Sequence, residues 1–174
     1  MEPQQPAAWQ RPPEEAGPAP GVRFAGHGAR LVAYIVDSII IGIAFTVVAL
    51  AVALVTLGAA FDWNDLRGMT YEDVNGGALA AFVILTLLLI LAAVLYFPWF
   101  WARGGATPGM RMFRLRVVRD RDGGPISGGQ AAMRLIGYWI NSATLYIGFA
   151  WILVDSRRRG WHDLIAGTVV IKRS

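Results

Sequence analysis

The sequence predicts an all-α membrane protein: transmembrane helices plus a broken or re-entrant helical segment, with a small cytoplasmic β-strand element. Three observations predict this class. Apolar residues make up 55% and charged residues 16% of the 174 residues, and the mean hydropathy is +0.45. The apolar residues are gathered into long blocks, of the ~20-residue scale that crosses a bilayer. The cations are almost all arginines that flank those blocks, the pattern that orients a polytopic membrane protein.

Composition also narrows function. A net charge of +4 could suit nucleic acid, but no patch interleaves base-stacking aromatics with Lys, so no nucleic-acid partner is expected. The absence of Cys excludes disulfides, Cys-based zinc and iron–sulfur sites and a Cys nucleophile.

Residues 1–22 are rich in Pro, Ala, Gln and Glu and lack the short apolar core of a signal peptide. They read as a disordered, solvated tail. Residues 23–174 read as the membrane domain. Its first span covers about 29–57, where Arg30, Ala33, Tyr34, Asp37 and Ile41 fall on one helical stripe. Asp37 is the sole acidic or basic residue between Leu31 and Leu57. A carboxylate there costs roughly 2.5–3.5 kcal/mol at the helix centre, so a compensating partner is expected. Arg30 lies about 10.5 Å away along the axis at 1.5 Å per residue, too far for a reliable ion pair.

The loop from Phe61 to Gly77 holds Asp62, Asp65, Glu72 and Asp73 against Arg67. Poor in cations, it is expected outside, with Trp63 and Tyr71 at the headgroups and the N-terminus in the cytoplasm. The second span, about 78–101, is uncharged and ends in the aromatic belt YFPWFW. Pro98 is expected to kink or end it, and Arg103 to mark an exit at the inner leaflet.

Thr107 and Pro108 read as the N-cap and first position of a short helical turn. MRMFRLRVVRDRD then alternates apolar and cationic residues and predicts a membrane-proximal strand at about 113–119. Arg111, Arg114, Arg116 and Arg119 would face anionic headgroups, and Asp122-Gly123-Gly124-Pro125 reads as a turn. Residues 131–154 are apolar enough to cross once. A single crossing would put Arg157, Arg158 and Arg159 outside and separate a second strand, about 168–172, from the first. A broken or re-entrant segment returns the chain inside, with Asn141, Ser142 and Thr144 serving its exposed backbone; the alternative is a plain third span. Gly160 then breaks the chain, His162 to Ala166 form a short helical turn, and Gly167 ends it.

Three elements carry a family resemblance: RLVAYIVD from Arg30 to Asp37, GATPGMRMFRLRVV from Gly105 to Val118, and RRGWHDLIAGTVVI from Arg158 to Ile171. In this order and spacing the chain resembles the RDD family of small membrane proteins, named for an Arg and two Asp residues. The resemblance covers about Arg23 to Lys172. It implies a shared membrane topology, a molecular role mostly unassigned, and Arg30, Asp37 and Asp163 as the residues of interest. Where the family often has Lys or a polar residue after the Pro-Gly, this chain has Met110.

Four residues are therefore the expected polar contacts: Arg30, Asp37, Arg134 and Asp163. Asp37 reads as a structural lock paired with Arg134, the other charge inside an apolar segment, or as a cation or proton site. Arg30 reads as an inner-surface anchor held near Asp163. The His162-Asp163 pair reads as a helix-start acid rather than a metal site, since His27 is the other His in the chain. No catalytic residue, cofactor or metal is expected. The expected function is that of a non-enzymatic, multi-pass cell-membrane protein that binds a partner or organises lipid. Its expected partners are the lipid bilayer and the anionic headgroups at its Arg-rich inner face. The alternative is a small homo-oligomeric transporter, cation or proton coupled through Asp37.

Overall fold

The computed structural model describes residues 22–61 and 75–173. The Pro-rich tail and most of the acidic loop lie outside the described residues. The chain runs β1 (Val22–Phe24), α1 (His27–Ala60), α2 (Gly76–Gly104), α3 (Pro108–Met112), β2 (Leu115–Arg119), α4 (Gly128–Ala143), α5 (Ile147–Ala150), a 3₁₀ turn (Trp151–Leu153), α6 (Trp161–Ala166) and β3 (Thr168–Arg173).

Helices α1 and α2 are long and apolar enough to cross a membrane, and the most apolar window of each is 6% and 0% buried, respectively. Most of their apolar surface is therefore left open in the described residues, as expected of helices solvated by lipid. Both outrun their expected limits. Asn75 caps α2, its side-chain oxygen accepting from Ala78 N at 3.1 Å. Pro98 does not end α2, which continues to Gly104. The stop is Gly105, left-handed at φ 68°, whose N–H donates to the Trp101 carbonyl. Packing holds the turns beyond Pro98: Phe97 and Trp101 lie 5.5 Å apart, and Trp101 stacks on Tyr138 of α4 at 5.5 Å.

The sheet has the order β1-β3-β2, and both pairings are antiparallel. Both strands read from the sequence are present, as 115–119 and 168–173; β1 carries no signal in so short a stretch and was not expected. Pairing of Val117 with Val170 and of Arg119 with Thr168 puts these residues on one face. That face meets Ala33, Trp101, Ile126 and Ala131 in the main core. The other face gathers Val118, Val169 and Ile171 with Val22 and Phe24.

The expected broken segment is a helix pair bent by 112° between α4 and the α5–3₁₀ stretch. A reciprocal capping box starts α4: Gln130 N donates to Ser127 Oγ at 3.2 Å and Ser127 N to Gln130 Oε1 at 3.1 Å. At its other end Leu145 and Tyr146 are left-handed, with φ 52° and 63°. Tyr146 N closes the turn on the Asn141 carbonyl at 2.8 Å. After the pair, the chain is back beside the sheet. Arg159 Nη1 and Arg157 Nη1 each donate to Asp120, just past β2, at 2.9 Å. Asp155 accepts from the Arg159 guanidinium through both oxygens, at 3.0 and 2.9 Å. Those bonds hold the Asp155 carboxyl below its ordinary range, although burial opposes them.

Candidate functional site

The first polar centre forms around Asp163. Gly160 precedes α6, and Asp163, in its first turn, accepts from the Gly160 N–H at 3.2 Å. That contact turns the carboxylate back toward the helix start, where α1 and α4 converge. Arg30 Nη1 donates to Asp163 Oδ2 at 2.7 Å, and Arg134 Nη1 donates to Oδ1. Arg134 also donates to Thr168 Oγ1 at 2.6 Å, because strand parity turns Thr168 toward the helices. Arg30 Nη2 reaches the Val170 carbonyl at 3.3 Å. One carboxylate thus joins α1, α4 and α6 and, through Thr168 and Val170, the central strand. Arg134 and Asp163 are 1% and 0% exposed. Burial pushes the Asp163 carboxyl up. The charges of Arg134 and Arg30 outweigh it and hold the carboxyl well below the ordinary carboxylate range.

His162 sits beside this centre under Tyr138, with ring centroids 4.4 Å apart. Burial pushes its pKa down to about 3, with the neighbouring Arg134 and Arg30 charges adding to the effect and Asp163 opposing it. A neutral ring fits its partners. The Asn141 amide is placed to donate to Nδ1 at 3.1 Å, and Nε2 lies 3.4 Å from Asp163 Oδ2, which assigns the proton to Nε2.

The second centre forms around Asp37, one stripe along α1 from Arg30. Thr107 Oγ1 donates to Oδ2 at 2.5 Å, the Gly109 N–H to Oδ1 at 2.8 Å, and Tyr96 OH to Oδ1 at 3.1 Å. Thr107 is also the cap of α3, accepting from Met110 N at 3.3 Å. The cap hydroxyl thus accepts from the helix and donates to the carboxylate. Gly109 is required for this approach: a Cβ there would lie 2.4 Å from the Ala33 carbonyl oxygen and 2.8 Å from Asp37 Oδ2.

The expected pairing of Asp37 with Arg134 is not found. Arg134 goes to Asp163, and Asp37 takes neutral donors from α2 and α3. Opposite charge was the signal sought in the sequence, yet three aligned neutral donors satisfy a carboxylate equally well. Tyr96, Thr107, Gly109 and Thr168 were missed as partners. The Thr-Pro-Gly of a short capped helix was the one available signal, and it marks a helix start without saying what the cap hydroxyl touches.

Fold and polar centres together define a class: a mostly helical protein with, among the described residues, two helices of membrane-spanning length and composition, a bent helix pair and a three-stranded sheet. An Arg and two Asp residues fasten its parts. The chain belongs to the RDD family, whose family model matches residues 24–167. It is 30% identical over 149 residues to the uncharacterized protein YxaI of Bacillus subtilis (strain 168), a match covering 84% of this chain and 96% of that one. It is also 30% identical over 106 residues to the uncharacterized protein RP437 of Rickettsia prowazekii (strain Madrid E), covering 59% of each. No solved structure matches the chain.

Proposed function

We propose that the protein is a non-enzymatic, multi-pass module of the cell membrane that binds a partner or organises lipid. In this reading α1 and α2 cross the bilayer, the N-terminus and sheet lie on the cytoplasmic side, and the bent pair is re-entrant. The ties from Arg157 and Arg159 to Asp120 support the last point, since they return the chain to the end from which α4 departs. Arg103, in the last turn of α2, and Arg111 and Arg114, in the connection from α2 to β2, suit anionic headgroups.

The observation that carries the non-transport reading is that both oxygens of Asp37 are taken by protein donors from α2 and α3. A coupling site must exchange its ion or proton with water. Here such exchange would first have to break a buried cap and a close helix contact. Asp37 therefore acts as a structural contact.

Flux in proteoliposomes tests this reading. The native chain and Asp37→Asn are compared under sodium, potassium and proton gradients, with folding checked by size-exclusion profile. Equal background flux in both is expected. Gradient-dependent flux in the native chain, lost in a still-folded Asp37→Asn, would overturn the reading and favour a transporter, which at this size would demand a homo-oligomer.

A further inference from the structure

A cavity of about 710 Å³ lies between α1, α2, α4 and the bent stretch after it, within the size range of ligand pockets. Its walls are largely aromatic, with Tyr34, Phe97, Trp101, Tyr138 and Phe149 among the lining residues. Arg30 and Arg134 also line it. Three buried nitrogens of these residues, Arg30 Nε, Arg134 Nε and Trp101 Nε1, have no acceptor among the described residues. A buried donor left unpaired is costly, and all three belong to residues that wall this cavity.

Charge points the same way. Two guanidiniums share the single Asp163 carboxylate, and the adjacent His162 is neutral near pH 7, so this end of the cavity has one positive charge in excess. Asp37 lines the cavity about 10 Å further along α1, where Tyr96, Thr107 and Gly109 already satisfy it. The rim identifies the source. Leu31, Tyr146 and Leu153 line the cavity while remaining 60%, 61% and 65% exposed. The opening is therefore continuous with the apolar outer surface.

We propose that this cavity binds an anionic phospholipid drawn from the bilayer, with its phosphate ester against Arg30, Arg134 and Trp101 and an acyl chain among the aromatic rings. The proposal rests on the membrane reading above and deepens it, giving the module a lipid as its ligand.

The test uses the full chain in nanodiscs of equal phosphatidylglycerol and phosphatidylcholine, released and weighed by native mass spectrometry. One phosphatidylglycerol retained per chain, in preference to phosphatidylcholine, is expected. Ala150→Trp fills the cavity from a lining position without touching Asp163 or its partners, and should abolish the retained lipid. Trp101→Phe removes one donor and keeps a ring, and should weaken retention roughly tenfold, the worth of one hydrogen bond to a charged acceptor. Equal retention of both lipids, or retention unchanged in Ala150→Trp, would reduce the observation to boundary lipid and overturn the proposal. Displacement by millimolar inorganic phosphate would also overturn it, assigning the site to a free anion. Carbonate washing of native membranes separates the two levels: a chain stripped from the membrane sinks the membrane reading itself. A chain that stays but shows no lipid preference sinks this inference alone.

Discussion

Asp163→Asn is the sharpest perturbation of the fold. It removes one negative charge and keeps the side chain's shape. The two guanidiniums that remain are nearly sealed from water, with side-chain exposures of 2% for Arg134 and 11% for Arg30. Removing one partner of a buried ion pair costs about 3–5 kcal/mol, because the other charge is left uncompensated. Here two charges are stranded, so the upper part of that range is expected. Against a stability of roughly 5–15 kcal/mol for a domain, such a loss removes from about a third to all of the margin. Asp37→Asn offers the internal comparison. Its amide keeps one accepting oxygen for Tyr96 and Gly109 but turns an NH2 toward the Thr107 hydroxyl, at a cost of about 1–3 kcal/mol for the unsatisfied group, and strands no buried cation. Thermal unfolding in detergent, read by size-exclusion monodispersity after heating steps, should rank native above Asp37→Asn above Asp163→Asn. Adding Arg134→Met to Asp163→Asn should restore part of the loss, since an apolar replacement removes one stranded charge. An Asp163→Asn protein within about 1 kcal/mol of native would refute the reasoning, for it would mean the guanidiniums find water or other acceptors.

Two further outcomes follow from the geometry. Gly109→Ala places a Cβ 2.4 Å from a backbone oxygen of α1. It should destabilise by about 1–3 kcal/mol or more, with unfolding midpoint as the measure; an unchanged midpoint would mean α3 does not seat on α1. The His162 pKa falls from its ordinary 6.5 to about 3 on folding. The unfolded chain therefore binds the extra proton between those values. The stability this His contributes is fully present above about pH 6.5 and is lost as pH falls toward about 3, an effect on the order of a few kcal/mol. Asp163, with its pKa lowered on folding, adds a loss of the same sign at lower pH. The pH dependence of the unfolding midpoint should flatten between pH 6.5 and 4 in His162→Gln, whose side-chain oxygen can still accept from Asn141. An equally steep profile in that variant would assign the acid sensitivity elsewhere.

The sequence displayed long-range features through composition and hid those that depend on single contacts. Helices α1 and α2 were legible because uninterrupted apolar runs of that length have few other uses. The strand at 168–173 was legible through Val169, Val170 and Ile171 between Gly167 and a charged end. The bend after α4 was visible as a conflict of charge placement, and its location was not. The turn uses Leu145 and Tyr146 in left-handed geometry where Gly or Asn is usual, so the ordinary punctuation is missing. At Pro98 the expected helix end is not found, since α2 runs on to Gly104. Its signal for a helix end is real, but stacking of Phe97, Trp101 and Tyr138 holds the turns that follow.

The placement of Arg30 and Asp37 on one stripe of α1 then has a structural meaning that neither residue has alone. Arg30 fastens the N-terminal end of α1 to α6 and to the central strand. Asp37, two turns on, fastens the same face to α2 through Tyr96 and to α3 through Thr107 and Gly109. Rotating α1 by even one residue, about 100°, would withdraw both side chains at once. It would part Arg30 from Asp163 and leave three neutral donors without their acceptor. Sliding α1 along its axis would do the same. The apolar residues of α1 cannot supply this specificity, because lipid solvates Leu and Ile well in any orientation. The cost of carrying a carboxylate at position 37 is thereby offset by fixing the one degree of freedom that hydrophobic burial leaves open.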